Sequence, residues 1–215
     1  MTEPTAPPTP SEVPTAKESP APEESAASHG PAPAYVSRVP GFGTVVFRVL
    51  DPEHDAATVH RWVDDERARF WGMVGHTVER VRDIYAFVDS LETHHAYLIE
   101  HDGHPAGLLQ TYDPEHDPLG EYYPVRPGDF GIHFLFAPPV TAPRSGYGGA
   151  LFGAVLDFVW SDPAHLRVVA EPDVRNDRSR RRLRLAGFTE GAEVALDHKR
   201  ACLYFLERDR DVAGG

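Results

Sequence analysis

Between residues 130 and 172 an apolar run, a glycine-bearing loop, a helix-period segment and a second apolar run follow in order, and this succession limits the fold more than any other feature. The first run, "FGIHFLF", is bounded by Pro127-Gly128-Asp129 and Ala137-Pro138-Pro139; the second, "LRVVAEP", stops at Pro172. Short apolar runs between turn formers read as buried strands, whereas the stretch from Gly148 to Trp160 has the helical period. Buried strands need cover on their faces, so the succession predicts a mixed sheet with helices packed on it.

The other segments fit that frame. "GTVVFRVL" (43–50) reads as a strand, and Asp51-Pro52 opens a helix to about Val63, because Asp caps free N–H groups and Pro is tolerated in the first turn. Thr77 caps a second helix to about Leu91, with Val81, Ile84, Phe87, Val88 and Leu91 on one stripe. "HAYLIEHDGHPAGLLQTY" reads as a hairpin turning at Asp102-Gly103. An arginine-rich helix over 178–186 closes at Gly187, and "EGAEVALDHKRACLYFLE" supplies two last strands. The predicted order is a strand, two helices, three strands, a helix, a strand, a helix and two strands.

Ten of the 21 prolines fall in residues 1 to 40, mixed with Ser, Thr, Ala and Glu, which predicts a disordered extension over 1–40. One domain over 41–210 and a short flexible tail over 211–215 follow. The leader lacks the pattern of a secretory signal, and no stretch has the roughly 18 apolar residues of a membrane span. The expectation is therefore a soluble, cytosolic protein with no membrane partner. Cys202, the single cysteine, lies in the apolar "ACLYFLE" and reads as a buried thiol. A net charge of −12 excludes a general nucleic-acid binder. His94, His95, His101 and His104 alternate along the hairpin toward different faces, and no Cys/His set accompanies them, so no metal site is predicted.

Two local features point to chemistry. Residues 167–184 hold seven arginines against three acids in an otherwise acidic chain, which reads either as a solvated helix face or as a site for a polyphosphate. The loop "APRSGYGGAL" (142–151) places Gly146, Gly148 and Gly149 at a helix start, where bare N–H groups suit an anion. Tight turns recruit glycine as well, so the loop alone leaves both readings open. His133 stands in the middle of the first apolar run; taken by itself, such a ring reads as a core histidine with a backbone partner.

Taken together, the apolar strand, the Gly-x-Gly loop, the helix, the second strand and "RNDRSRRRLRLAGF" resemble the acyl-CoA-binding core of the GNAT acyltransferase superfamily, over roughly residues 44 to 208. The resemblance implies the α/β GNAT fold: a central mixed, splayed sheet with helices on both faces. It implies that acyl-CoA is the co-substrate and that its pyrophosphate rests on Arg144, Ser145, Gly146, Tyr147, Gly148 and Gly149, with Asn176 and Arg181 nearby. Pantetheine would run along Phe134, Leu135 and Phe136. Gly146 and Gly148 match the two loop glycines, and Gly187-Phe188 matches the Gly-Phe after the last core helix. Two positions depart. Pro143 stands where the family usually has Gln or Arg, and Leu183 stands where many members carry a tyrosine that protonates the leaving thiolate.

"PGDFGIH" and "EPDVRN" are similar to a narrower branch, the siderophore-biosynthesis acyltransferases that act on lysine, N-hydroxylysine or N-hydroxylated diamines. In that branch the histidine and the aspartate of these pieces form the catalytic pair, which carries over onto His133 and Asp173, with a backbone N–H near Leu135 polarising the thioester. Trp71, Gln110, Tyr112 and Tyr123 are then the expected walls of the amine pocket, and Arg126 the cation for an amino-acid acceptor. The implied reaction passes an acetyl or succinyl group from acetyl-CoA or succinyl-CoA to an N-hydroxylated diamine such as N-hydroxycadaverine, without a metal, in a monomer or homodimer. Alternatives are a lysine or N-hydroxylysine acceptor, an aminoglycoside 6′-N-acetyltransferase and a non-catalytic acyl-CoA-binding protein.

Overall fold

The computed structural model describes residues 32–138 and 145–209. Among these, strands β1 (Tyr35–Val39), β2 (Gly43–Val49), β3 (His94–His101), β4 (His104–Tyr112), β5 (Asp129–Phe136), β6 (Arg167–Ala170), β7 (Thr189–Leu196) and β8 (Lys199–Glu207) form one sheet. Their spatial order is β1-β2-β3-β4-β5-β6-β8-β7. The helices are α1 (Pro52–Val63), α2 (Val78–Asp89), α3 (Tyr147–Trp160) and α4 (Asp177–Leu185), with a 3₁₀ turn at Glu66–Trp71 after α1.

The capping chemistry read from the sequence is in place. Asp51 accepts from the Glu53 and His54 amides, Thr77 accepts from the Arg80 amide, and Gly187 ends α4 at φ +90°. Asp102 and Gly103 turn the β3–β4 hairpin with φ +48° and +76°. The fold begins earlier than the expected boundary at residue 41, because Tyr35–Val39 pairs antiparallel with β2 as an edge strand. Proline density upstream hid its alternation of Val36, Arg38 and the buried Ser37.

The sheet buries both faces. Phe47, Ile99, Leu109 and Ile132 pack against Leu151, Val155 and Val159 of α3 and Leu183 of α4. Leu98 and Leu108 face Val59 and Val63 of α1 and Val81 and Tyr85 of α2. Each such side chain contributes about 1.5–3 kcal/mol on burial, so the two layers fix the strand register firmly.

The pairing that matters for function is the parallel one. β5 and β6 pair over Asp129↔Arg167, Phe130↔Val168 and Gly131↔Val169, and stop there. On its other edge β5 stays paired with β4 as far as Gly107↔Phe136. Residues 132–136 of β5 therefore border an opening on one side. The "PGD-x-G" piece builds its floor. Gly128, at φ +84°, lets Leu166 approach where a Cβ would sit 2.7 Å from its Cγ. Asp129 forms a bidentate, buried ion pair with Arg167, both bonds 2.6 Å. Gly131 lies under the Tyr112 ring, which any Cβ there would overlap.

Candidate active site

His133 stands on the open stretch of β5, directly across from Gln110 of β4. Period-two alternation sets its side chain on the face of Gly131 and Asp129, away from Phe134 and Phe136, which pack toward α3. Its side chain is 38% exposed, unlike the strand around Gly131 and Ile132, which is buried. The ring meets Tyr112 at 5.0 Å and the edge of Trp71 at 6.3 Å between centroids. Trp71 is held in turn by its Nε1, which donates to Tyr85 Oη at 3.1 Å. Three of the expected wall residues, Trp71, Gln110 and Tyr112, thus gather at His133.

The partner of the ring is Glu171. His133 Nε2 lies 2.5 Å from Glu171 Oε1, Lys199 Nζ donates to the same oxygen at 3.2 Å, and Tyr112 Oη donates to Oε2 at 2.7 Å. Burial would push the Glu171 carboxyl up, but the charges and hydrogen bonds of His133 and Lys199 and the Tyr112 hydroxyl outweigh it and hold the group well below the ordinary range. An ionised carboxylate only accepts, so Nε2 carries a proton and the lone pair of a neutral His133 sits on Nδ1. Burial and the Glu171 charge keep the Tyr112 hydroxyl protonated as a donor.

Asp173, the expected partner of His133, is bonded by Arg175. Its carboxylate accepts from the Arg175 amide at 2.8 Å and from the Arg175 guanidinium at 2.8 and 2.7 Å, and it is 4% exposed. It builds the turn after β6, while Glu171, two residues earlier, shares the face of Val169 and reaches His133. The Leu135 amide is also directed elsewhere. Ala137 N donates to Ala106 O, and antiparallel pairs bond at every second residue, so Leu135 bonds toward β4. Phe134 and Phe136 then turn their backbone groups to the opening, where Arg67 Nη1 already donates to Phe136 O at 3.2 Å. The amide beside His133 on that edge is Phe134.

Tyr123 and Arg126 are tied to the far end of β5. Tyr123 Oη and the Arg126 amide both donate to Asp129 Oδ2, at 3.1 and 3.0 Å, and the Arg126 guanidinium pairs with Glu207 at 3.3 Å. Arg144 of the glycine loop lies outside the described residues. Ser145 and Gly146 lead into α3 with Gly146 at φ +80°, and the first turn, from Tyr147 through Gly149, offers amides with no helical acceptor. Asn176 caps α4 by accepting from the Ser179 amide.

The arginine patch divides. Arg167, Arg175, Arg180 and Arg184 pair with Asp129, Asp173 and Glu190. Arg178, Arg181 and Arg182 form no ion pair among the described residues. The Arg182 guanidinium lies 5.2 Å from the Phe136 ring centroid and so close to Gly148 that a Cβ there would sit 2.5 Å from its Nη2. Burial and the like charges of Arg178 and Arg181 depress its basicity, and the start of α3 is faced by a positive charge with no ion-pair partner among the described residues.

The match to known proteins fits this layout. Residues 51–196 match the acetyltransferase (GNAT) domain family, more than half of the chain. The chain is a GNAT-family member. Its curated relatives include the N(6)-hydroxylysine O-acetyltransferase of Escherichia coli, 28% identical over 75% of this chain and 51% of that protein. The lysine N-acyltransferase MbtK of Mycobacterium tuberculosis is 30% identical over 52% of this chain and 53% of its own. The N-hydroxyputrescine acetyltransferase of Acinetobacter baumannii is 26% identical over 54% and 55%. The GNAT chain thus spans about half the length of the curated relatives it matches. Among solved structures, the aminoglycoside acetyltransferase AAC(6′)-Ib with paromomycin and acetyl-CoA superposes at a TM-score of 0.68 and 24% identity, over 79% of this chain and 97% of that one. That likeness shows the fold. Among the described residues no cluster of His, Cys, Asp and Glu has the form of a metal site, and no helix is long and apolar enough to cross a membrane.

Proposed function

We propose that the protein transfers an acyl group, acetyl or succinyl, from acyl-CoA to the nitrogen of an N-hydroxylated diamine such as N-hydroxycadaverine, giving the hydroxamate of a siderophore. One observation carries the reading: His133, with Nδ1 left free by the Nε2–Glu171 bond, stands on the unpaired edge of β5. The first-turn amides of α3, faced by Arg182, suit the pyrophosphate, and the open edge from Phe134 to Phe136 suits the amide-bearing pantetheine arm.

The steps balance on these groups. The acceptor nitrogen attacks the thioester carbonyl, the N–C bond forms, and the N–H proton passes to His133 Nδ1. Glu171 stabilises the resulting imidazolium through Nε2. The Phe134 amide faces the carbonyl oxygen as its charge develops, and collapse of the intermediate breaks the C–S bond. Leu183, where many GNAT members have a tyrosine, is 4% exposed and has no acidic proton to give, so the thiolate draws its proton from another group or from solvent.

The relatives' names support an acceptor of the hydroxylamine or lysine class, and the lysine N-acyltransferase among them acylates nitrogen. Arg126, the cation expected to hold an amino-acid carboxylate, lies by Asp129 at the far end of β5 from His133, which is why a diamine is taken ahead of an amino acid. The test is thiol release over acetyl-CoA and succinyl-CoA crossed with N-hydroxycadaverine, N-hydroxylysine, lysine and an aminoglycoside, followed by ferric ion. A hydroxamate gives a coloured ferric complex and an O-acyl hydroxylamine does not. With N-hydroxycadaverine or N-hydroxylysine, thiol release without colour refutes transfer to the hydroxylated nitrogen; with lysine or the aminoglycoside, thiol release by itself reports acylation of an amine; silence across the panel with CoA still bound refutes the enzymatic reading.

A further inference from the structure

The three buried acids around the cleft each have a cationic partner. Asp129 is taken by Arg167, Asp173 by Arg175, and Glu171 by Lys199. The Lys199 side chain is 15% exposed and bonds to the oxygen that His133 also uses, while Tyr112 occupies the other. Every group facing Glu171, from β4, β5 and β8, is therefore a donor, and Trp71 closes the His133 side without charge. An ammonium arriving at Nδ1 finds no free carboxylate and a fixed cation across Glu171. A neutral nitrogen meets no such repulsion, and its proton has Nδ1 to go to.

Resting on the acyl-transfer reading above, we propose that Lys199 is a specificity-determining residue: by neutralising Glu171 it restricts the acceptor to a nitrogen uncharged at neutral pH, a hydroxylamine in place of a primary amine. The chemistry gives the restriction force. A primary amine with a pKa of about 10.4 is neutral in about one molecule in 2,500 at pH 7, whereas the electron-withdrawing oxygen leaves a hydroxylamine largely neutral there.

The experiment compares kcat/KM for N-hydroxycadaverine and cadaverine, with the acyl-CoA that the wild type uses, from pH 7 to 9.5. In the wild type the cadaverine value rises about tenfold per pH unit, following the neutral fraction, while the N-hydroxycadaverine value is level. Lys199→Met narrows the preference at pH 7 at least tenfold, and Lys199→Arg, which keeps the charge, restores it. A preference unchanged in Lys199→Met overturns the proposal, as does a cadaverine profile that is flat with pH in the wild type. Should Lys199→Met fail to fold by circular dichroism, Lys199→Gln and the wild-type pH profile decide. If the wild type acylates neither amine, the diamine acceptor falls and takes this proposal with it, while acyl transfer itself is decided by the wider acceptor panel. Acylation of both with an unmoved ratio removes the role of Lys199 alone.

Discussion

Replacing Glu171 by glutamine keeps the shape of the side chain and removes the charge on which three donors converge. The neutral amide has one acceptor oxygen for His133, Lys199 and Tyr112, and its NH₂ group must point at one of them. Lys199 then loses its counter-ion at 15% exposure, and breaking a buried pair from one side costs about 3–5 kcal/mol. For a chain of this size that lowers the melting temperature by about 6–20 °C. Turnover falls further than stability alone explains, because the imidazolium formed at His133 has lost its anion; a positioned base contributes about 10²–10⁴-fold. KM for acyl-CoA stays near the wild-type value, since the start of α3 and Arg182 lie on another part of the cleft. The paired control is Asp173→Asn, which disturbs the Arg175 turn and leaves the His133 contact whole, so its kcat stays within about tenfold of wild type. Thiol-release kinetics at saturating acyl-CoA and thermal melts on both variants make the measurement. If Asp173→Asn is the inactive variant and Glu171→Gln keeps a third or more of the wild-type kcat, the assignment of Glu171 is wrong.

Gly131→Ala drives a methyl into the Tyr112 ring and should cost about 1–3 kcal/mol in denaturant unfolding, with kcat falling as the Tyr112 bond to Glu171 is displaced. Arg182→Ala should raise the dissociation constant for CoA about tenfold in calorimetry and leave kcat at saturation within about threefold; an unchanged affinity would remove Arg182 from the pyrophosphate site. Acid should destabilise the fold through Glu171. Its folded-state pKa lies well below the ordinary 4.5, so below that value the unfolded chain binds a proton that the native chain refuses. Stability therefore falls as pH drops from about 4.5, and Glu171→Gln, with no proton to take up, should show a shallower slope between pH 5 and 3 in urea melts.

Much of the framework was legible because it rests on local chemistry. Asp51, Thr77, Gly187 and Asp102-Gly103 act through their own backbone neighbours, and the β5–α3–β6 succession follows from apolar runs that have to be covered. His133 was identifiable as a ring out of place. Its partner was not, because "EPD" holds two acids and the choice between them depends on where β6 ends. With pairing over at Val169, Glu171 keeps the strand's alternation and points where Val169 points, whereas Asp173, past Pro172, enters a turn and is claimed by Arg175 two residues on. Lys199 comes from a strand 28 residues away, and nothing in its neighbourhood distinguishes it from a solvated lysine. The division of the arginine patch was equally hidden, since four of the seven find acids on β5, on β7 or in the turn after β6.

The position of His133 follows from the same divergence that makes the cleft. A titratable ring is costly inside a fully paired strand, since burial leaves its nitrogens needing partners. β5 is such a strand only as far as Gly131, where the Tyr112 ring crosses it and the pairing with β6 ends. Two residues on, the chain still has a β4 partner to hold it straight but no β6 neighbour, so a side chain there is rigidly held and 38% exposed at once. The Asp129–Arg167 pair locks the closed end of the two strands, and Glu171, just past the end of β6, is the first side chain on this face able to reach across the gap. Moving the last β5–β6 pair by one residue in either direction would turn Glu171 away from the ring or seal the edge at Ile132. The register of three paired residues thus determines both that His133 has a carboxylate and that its other nitrogen is left for the acceptor.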